Sequence, residues 1–403
     1  MKASPFTVPY YRIERPLLAL GVALLPVYIF SSGGIQPAHM VIALFSAVFL
    51  AKRSFPRTSW AILLFSISAY SFLVESIYTI LGGSSSAIMS SIFFIYNFIV
   101  VSSVYVHCRN YGLSALVPGL KAACVIAVSS VIISGVTLYA NDEGRSAGGF
   151  NNPNQLGYFS VCLLSLTYLL YCHRLLKYVT ALSMFFVALF LSIVSLSKAA
   201  MVSNIIVFLF VINPMRVVGS NGIYFLFKYY MFWFFLSASV VFSLIFFYEA
   251  GYFENYKFIP RLQGMISEAD SSLESRGYFA FLDGNFGQLV FGLGRDGVLD
   301  IVGHEVHSTL AGVLNDYGLL GFLLFFCAIS VWILQLFRAY GFVGMSCIAG
   351  PAMLYGITHN GIRFTIFWIL FSSSMAMAGL VIKRAKNKYY HRSKYSCEVL
   401  DTP

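Results

Sequence analysis

The chain has 403 residues, 59% of them hydrophobic and only 10% charged, whereas a soluble domain carries roughly a quarter charged residues. This is the composition of a chain solvated by lipid, and one integral domain over 1–403 accounts for it better than two or three soluble ones. The net charge of +10 comes from basic residues scattered through short loops, with no nucleic-acid-binding motif among them, so it reads as an orientation signal and excludes nucleic acid as a partner.

Apolar runs near twenty residues predict membrane spans. They fall near 16–32, 36–51, 58–82, 86–106, 115–139, 154–173, 178–196, 199–213, 223–248, 306–337, 341–358 and 364–382. The expected fold is therefore all-α and polytopic, with about 12 transmembrane helices and both termini on one side. The first run lacks a small-residue cleavage site and reads as a retained helix.

Lys and Arg accumulate in cytoplasmic loops. Nineteen of the 26 basic residues fall at one face on this count: Lys2, Arg12, Arg15, Lys52, Arg53, Arg57, Arg109, Lys121, Arg174, Lys177, Arg216, Lys228, Arg338 and the six from Lys383 to Lys394. That face is predicted to be cytoplasmic, with a cytoplasmic tail at 383–403. The other seven, Arg145, Lys198, Lys257, Arg261, Arg276, Arg295 and Arg363, lie outside or near outer span ends, where topology gives them no reason to be. All seven Cys fall in spans, inner segments or the tail, so neither a disulfide framework nor a thiolate zinc site is implied.

Polar residues collect in two predicted outer loops, 140–154 and 249–305, which the resemblance given below makes periplasmic. The second is longer than a passive connection needs and rich in Phe, Leu and Ile, so it is expected to fold over the outer mouth. Ser271 and Glu274 form a capping-box pattern followed by Leu273, Phe279, Leu282 and Phe286 at helical spacing, predicting a short amphipathic helix that carries Arg276. Gly292, Gly294 and Gly297 spell Gly-x-Gly-x-x-Gly without a surrounding strand-turn-helix unit, which reads as a turn and not as a dinucleotide site. His304 and His307 stand three apart, not the four of a zinc-protease helix, and no third ligand accompanies them, so no metal is expected. His307 instead stands where a span begins, and a helix N-terminus favours an anion.

Three blocks in this order carry a resemblance. They are Gly144 to Gly157 (Gly-Arg-Ser-Ala-Gly-Gly-Phe-Asn-Asn-Pro-Asn-Gln-Leu-Gly), Ser195-Leu196-Ser197-Lys198-Ala199, and Arg276 through His307-Ser308-Thr309-Leu310 to Tyr317-Gly318-Leu319-Leu320-Gly321. Together they span roughly 140–325 and resemble the bacterial O-antigen polymerase and O-antigen ligase superfamily. The resemblance implies a glycosyltransferase of the bacterial inner (cytoplasmic) membrane without cofactor or metal. Its donor would be an undecaprenyl-pyrophosphate-linked glycan and its acceptor another glycan or lipid A core, at the periplasmic face. A chain-length regulator or flippase of the same pathway would be a further partner beside the membrane lipids.

The resemblance places the catalytic His on His307 and the loop Arg on Arg276, with Lys198 where the family has Arg. Lys keeps the charge but loses the planar fork that grips phosphate with two bonds. Arg276, Lys198 and Arg145 are thus the candidate pyrophosphate ligands. Arg363, Glu75 and Arg295 are secondary candidates: Arg363 as a second cation at the mouth or a snorkelling one, Glu75 as a cavity cap or a partner for these cations. Three readings stay open. A polymerase of oligosaccharide repeat units for O-antigen, exopolysaccharide or capsule is favoured by the Asn-Asn-Pro-Asn block. A ligase would use the same parts on a different acceptor. A transporter or flippase would place its charges near the bilayer midplane in repeated halves.

Overall fold

A computed structural model describes residues 11–30, 34–84, 86–134, 146–211, 277–303 and 306–398. The predicted span near 223–248, Arg145, Arg276 and the Ser271–Glu274 pattern lie outside these residues. The described chain is all-helical: α1 (Tyr11–Ala23), α2 (Pro37–Leu50), α3 (Ser59–Ile80), α4 (Ser86–Tyr111), α5 (Leu116–Ile133), α6 (Pro153–Cys172), α7 (Tyr178–Val194), α8 (Lys198–Val211), α9 (Phe286–Phe291), α10 (Gly294–Val302), α11 (Thr309–Ile348), α12 (Gly350–Thr358) and α13 (Thr365–Glu398). Six of them, α3, α4, α5, α6, α11 and α13, are long and apolar enough to cross a membrane, and α2 and α7 are shorter apolar helices. The protein is membrane-embedded.

α6 forms the axis. Its span is 89% buried inside the protein, against 39% for that of α5, whose Val125, Ile132 and Ile133 point outward as lipid-facing side chains do. Burying so many hydroxyls is tolerable because they bond back to their own helix: Ser160 Oγ donates to Gly157 O and Thr167 Oγ1 to Leu163 O. Other polar side chains tie neighbouring helices, with Asn204 Nδ2 on Ser160 Oγ (3.1 Å), Trp332 Nε1 on Ser374 Oγ (2.9 Å) and Ser68 Oγ on Phe94 O (3.0 Å).

The two ends of the bundle differ. At one, Lys52 pairs with Glu14 at 3.5 Å, Arg53 donates to Tyr111 Oη at 2.7 Å, and His173 bonds Tyr340 at 2.9 Å beside Arg384. The loops at the other end carry the glycine- and asparagine-rich segments.

Several predicted boundaries move, each for a local reason. The run at 16–32 is helical only to Ala23, because Pro26 forbids continuation and the chain turns across the bundle end: Tyr28 N–H donates to Gly149 O, and the Ile29 and Phe30 N–H groups donate to Gln36 Oε1. The predicted spans 306–337 and 341–358 become α11, broken at Gly318 (φ 63, ψ −168) and Gly341 (φ 70, ψ −176), followed by the short α12 with Pro351 in its first turn. The described part of the predicted amphipathic helix is a turn at 277–279 and one 3₁₀ turn, Ala280–Asp283, with α-helix resuming at Phe286. Gly292 and Gly294 form a turn with positive φ, and Gly297 lies inside α10.

Gly318 and Gly292 face each other so closely that a Cβ on Gly318 would overlap the Gly292 nitrogen and the Val290 carbonyl, while a Cβ on Gly292 would overlap Asp316 O. Around Gly341 nothing lies within 4 Å of such an atom. Gly318→Ala therefore combines a positive-φ cost of about 1–2 kcal/mol with a backbone collision, whereas Gly341→Ala carries the φ cost alone. Thermal unfolding of the purified variants is expected to put Gly318→Ala well below Gly341→Ala; equal midpoints would mean that the contact with Gly292 is not tight.

Candidate functional site

At the end opposite the basic one, a cleft of about 200 Å³ opens between the segment before α2, the start of α6, the residues before α11 and the turn between α12 and α13. Each wall is built by a local rule. Asn152 caps α6, its side chain accepting Gln155 N–H at 2.9 Å, and Pro153 occupies the first turn where its missing N–H costs nothing. The Gln155 side chain returns to accept Asn151 N–H at 3.1 Å, and Tyr355 Oη donates to Asn154 O at 2.6 Å. The Gly-Gly-Phe-Asn-Asn-Pro-Asn block is thereby fixed as cleft wall.

Ser308 caps α11 by accepting Ala311 N–H at 3.3 Å, so the preceding residue, His307, stands outside the helix, exposed and on the cleft. Its position is anchored by a relay in which Ser308 Oγ donates to Tyr278 Oη (2.8 Å) and Tyr278 Oη to Ile357 O (2.7 Å). Thr309 Oγ1 donates to His359 O (3.0 Å) and accepts Gly361 N–H (2.7 Å), locking the 359–361 turn to the start of α11. Asn97 Nδ2 and Trp368 Nε1 both donate to Ile362 O, at 2.9 and 2.6 Å. This turn delivers Arg363 and Asn360 to the cleft, and His359 stacks on Tyr355 with ring centroids 4.4 Å apart.

The predicted site residues divide accordingly. His307 and Arg363 share the cleft. Lys198 begins α8 and is not among the cleft's lining residues, although its neighbour Ser197 packs directly on Gly157 of α6. Gly277, which follows Arg276 in sequence, has positive φ, packs on Val306 beside His307 and accepts from Asn315 Nδ2 through its carbonyl. Arg295 lines a small cavity together with Arg363, Asn360, Val306 and Asp316, adjoining the main cleft.

Glu75 is fully buried near the C-terminal end of α3. Its Oε1 accepts the backbone N–H of Arg295 at 3.4 Å, and Asp296, Asp316 and Tyr317 surround it. It therefore grips the start of α10 at Arg295 by the backbone, alongside Tyr70 and Tyr78, which donate to Phe291 O (2.9 Å) and Gly292 O (2.8 Å) in the preceding turn. Among the described residues no three His, Cys, Asp or Glu side chains converge as a metal site would require. His39 and Asn152 were not predicted as site residues. The signal for His39 was present: a histidine in an otherwise apolar helix, where polar side chains are costly unless used.

No protein-family model matches this chain, and no curated protein matches it.

If Glu75 serves as the acceptor that seats the start of α10 at Arg295, Glu75→Gln, which keeps that oxygen, should unfold within about 1 kcal/mol of wild type. Glu75→Leu should lose about 1–3 kcal/mol by stranding a buried donor. Thermal unfolding of purified protein reads the difference, and an equally stable Leu variant would remove the role.

Proposed function

We propose that the protein is a polymerase of undecaprenyl-pyrophosphate-linked oligosaccharide repeat units for O-antigen, exopolysaccharide or capsule, acting at the periplasmic face of the bacterial inner membrane. The observation that carries the reading is spatial: the three blocks on which the resemblance rests, far apart in sequence, come together at one end of the bundle. Asn152 and Asn154 of the first block and His307 of the third line one cleft, and Ser197 of the second packs on Gly157 of the first. With the basic end as cytoplasmic, the cleft opens to the periplasm. The 12-span topology, both termini inside and the long periplasmic loop belong to this proposal.

In this reading the acceptor sugar hydroxyl attacks the anomeric carbon of the donor. The bond between that carbon and the pyrophosphate oxygen breaks, its electron pair leaves with undecaprenyl pyrophosphate, and the hydroxyl proton passes to His307. Arg276, with Lys198 and Arg145, meets the charge that develops on the leaving group, as preorganised cations do for phosphoryl oxygens. Arg363, placed in the same cleft as His307, joins them. A ligase would use the same groups with lipid A core as acceptor; the Asn-Asn-Pro-Asn wall favours the polymerase. The candidate site's charges lie at one end of the bundle and not at mid-span, which speaks against a transporter.

Complementation of a deletion strain tests the reading, with surface glycan and carrier-linked intermediates resolved on gels. Wild type should restore long chains. His307→Ala should leave single repeat units on the acceptor, and Arg276→Lys should lose much of the activity because an ammonium cannot form two parallel bonds to phosphate. Lys198→Arg should be tolerated. Long chains stranded on the carrier lipid in the deletion strain would indicate the ligase, and unchanged glycan would sink both.

A further inference from the structure

Two side chains in the cleft, His39 and Asn152, share an arrangement that the mechanism above does not use. His39 sits in the first turn of α2, 8% exposed, with its ring edge-on to Phe93 and Tyr96 at centroid distances of 6.1 and 5.6 Å. Its Nδ1 accepts the backbone N–H of Gln36 at 3.0 Å, so Nδ1 holds no proton and the ring proton is on Nε2. Gln36 is itself rigid, accepting Ile29 and Phe30 N–H through Oε1 and donating to Phe30 O through Nε2.

In Asn152 the carbonyl oxygen is engaged in the same way, by Gln155 N–H at 2.9 Å, which leaves the amide NH₂ as the free end. Each side chain thus has its acceptor tied to the backbone. Neither His39 Nε2 nor Asn152 Nδ2 has a partner among the described residues, and both residues line the cleft. The result is a pair of fixed, uncharged donors beside the aromatic rings of Tyr28 and Phe93, on elements separate from those that carry His307 and Arg363.

Neutral donors set among aromatic rings suit a ligand with hydroxyl oxygens and apolar C–H faces, not a phosphate, which draws charge-assisted bonds. The cleft volume of about 200 Å³ lies below the roughly 300–1,000 Å³ of pockets for drug-sized ligands, so the part lined by His39 and Asn152 is sized for a single ring of a longer ligand. We propose that His39 and Asn152 form a subsite for one uncharged sugar ring of the glycan, with His39 Nε2–H and Asn152 Nδ2–H donating to its hydroxyl oxygens. This rests on the polymerase reading for the identity of the glycan, and it separates the cleft into a sugar-reading part and a pyrophosphate-reading part.

The test uses the purified full chain in detergent and a phosphate-free oligosaccharide hydrolysed from the surface glycan of the source organism, with dissociation constants measured by calorimetry. Wild type should bind. His39→Asn places an oxygen where it can still accept Gln36 N–H but removes the cleft donor, and Asn152→Asp keeps the helix cap but replaces the amide donor with oxygen. Each should weaken binding about three- to tenfold, the range of one hydrogen bond between neutral groups. His39→Gln, which restores an N–H near the Nε2 position while losing the bond to Gln36, should recover most of the loss seen with His39→Asn.

Unfolding midpoints identify any misfolded variant, and if His39→Asn fails to fold, Asn152→Asp decides. Folded His39→Asn and Asn152→Asp proteins that bind like wild type would overturn the subsite. So would a His39→Gln loss as large as that of His39→Asn, since the restored N–H would then contribute nothing. Absence of binding by wild type would also overturn it, even with complementation intact. Oligosaccharide binding that depends on both donors, in a protein whose deletion leaves surface glycan unchanged, would instead retain the subsite and reject the polymerase.

Discussion

Backbone that leaves the helix in a membrane protein must find partners within the protein wherever it is surrounded by lipid, because lipid offers none, and the cleft end of this bundle is organised by that requirement. Several breaks in the helical pattern among the described residues of that end are met by polar groups from an adjacent element. Gln36 takes the amides at 29 and 30 and the carbonyl of Phe30; Tyr70 and Tyr78 take the carbonyls at 291 and 292; Leu293 N–H takes Asn315 O beside the break in α11; Thr309, Asn97 and Trp368 bind the 359–362 turn. The cleft is the space these pinned segments leave between them. Its shape is therefore held by side chains that belong largely to apolar helices.

The same requirement explains which features were legible in the sequence. Signals that act over three or four residues were readable: the beginning of a helix at His307 and the turn at Gly292 and Gly294. The long apolar runs gave most helices near their true positions. Features set by distant partners were not readable. The early end of α1 depends on Gly149 and Gln36 as well as on Pro26, the break at Gly318 depends on Gly292, and the 277–283 segment gives up helix for contacts with Val306 and Asn315. Hydropathy also treats 341–358 as one span, although Gly341 and Pro351 divide it.

Site residues followed the same division. His307 stood out by its place at a helix start and by resemblance. Arg363 was ambiguous because a snorkelling cation and a cleft cation look alike in sequence, and only the 359–362 turn places it on the cleft. His39 was passed over since a lone polar residue in an apolar run has many explanations, and its Nδ1 bond to Gln36 is a three-dimensional fact. The cleft end contains three chemically distinct regions: His307 beside the Arg363 cation, neutral donors at His39 and Asn152, and a group of acidic side chains at Glu75, Asp296 and Asp316, of which the buried Glu75 accepts the Arg295 N–H at the start of α10.

That division of labour has meaning only if the cleft is where glycan is transferred. The most direct measurement reconstitutes the purified protein in liposomes with an undecaprenyl-pyrophosphate-linked repeat unit from the source organism and follows products by mass spectrometry. The account expects carrier-linked chains of two or more repeats, with one undecaprenyl pyrophosphate released for each repeat added and neither product formed by His307→Ala. A donor that persists unchanged with folded wild-type protein, or chain growth that proceeds equally with His307→Ala, would contradict it.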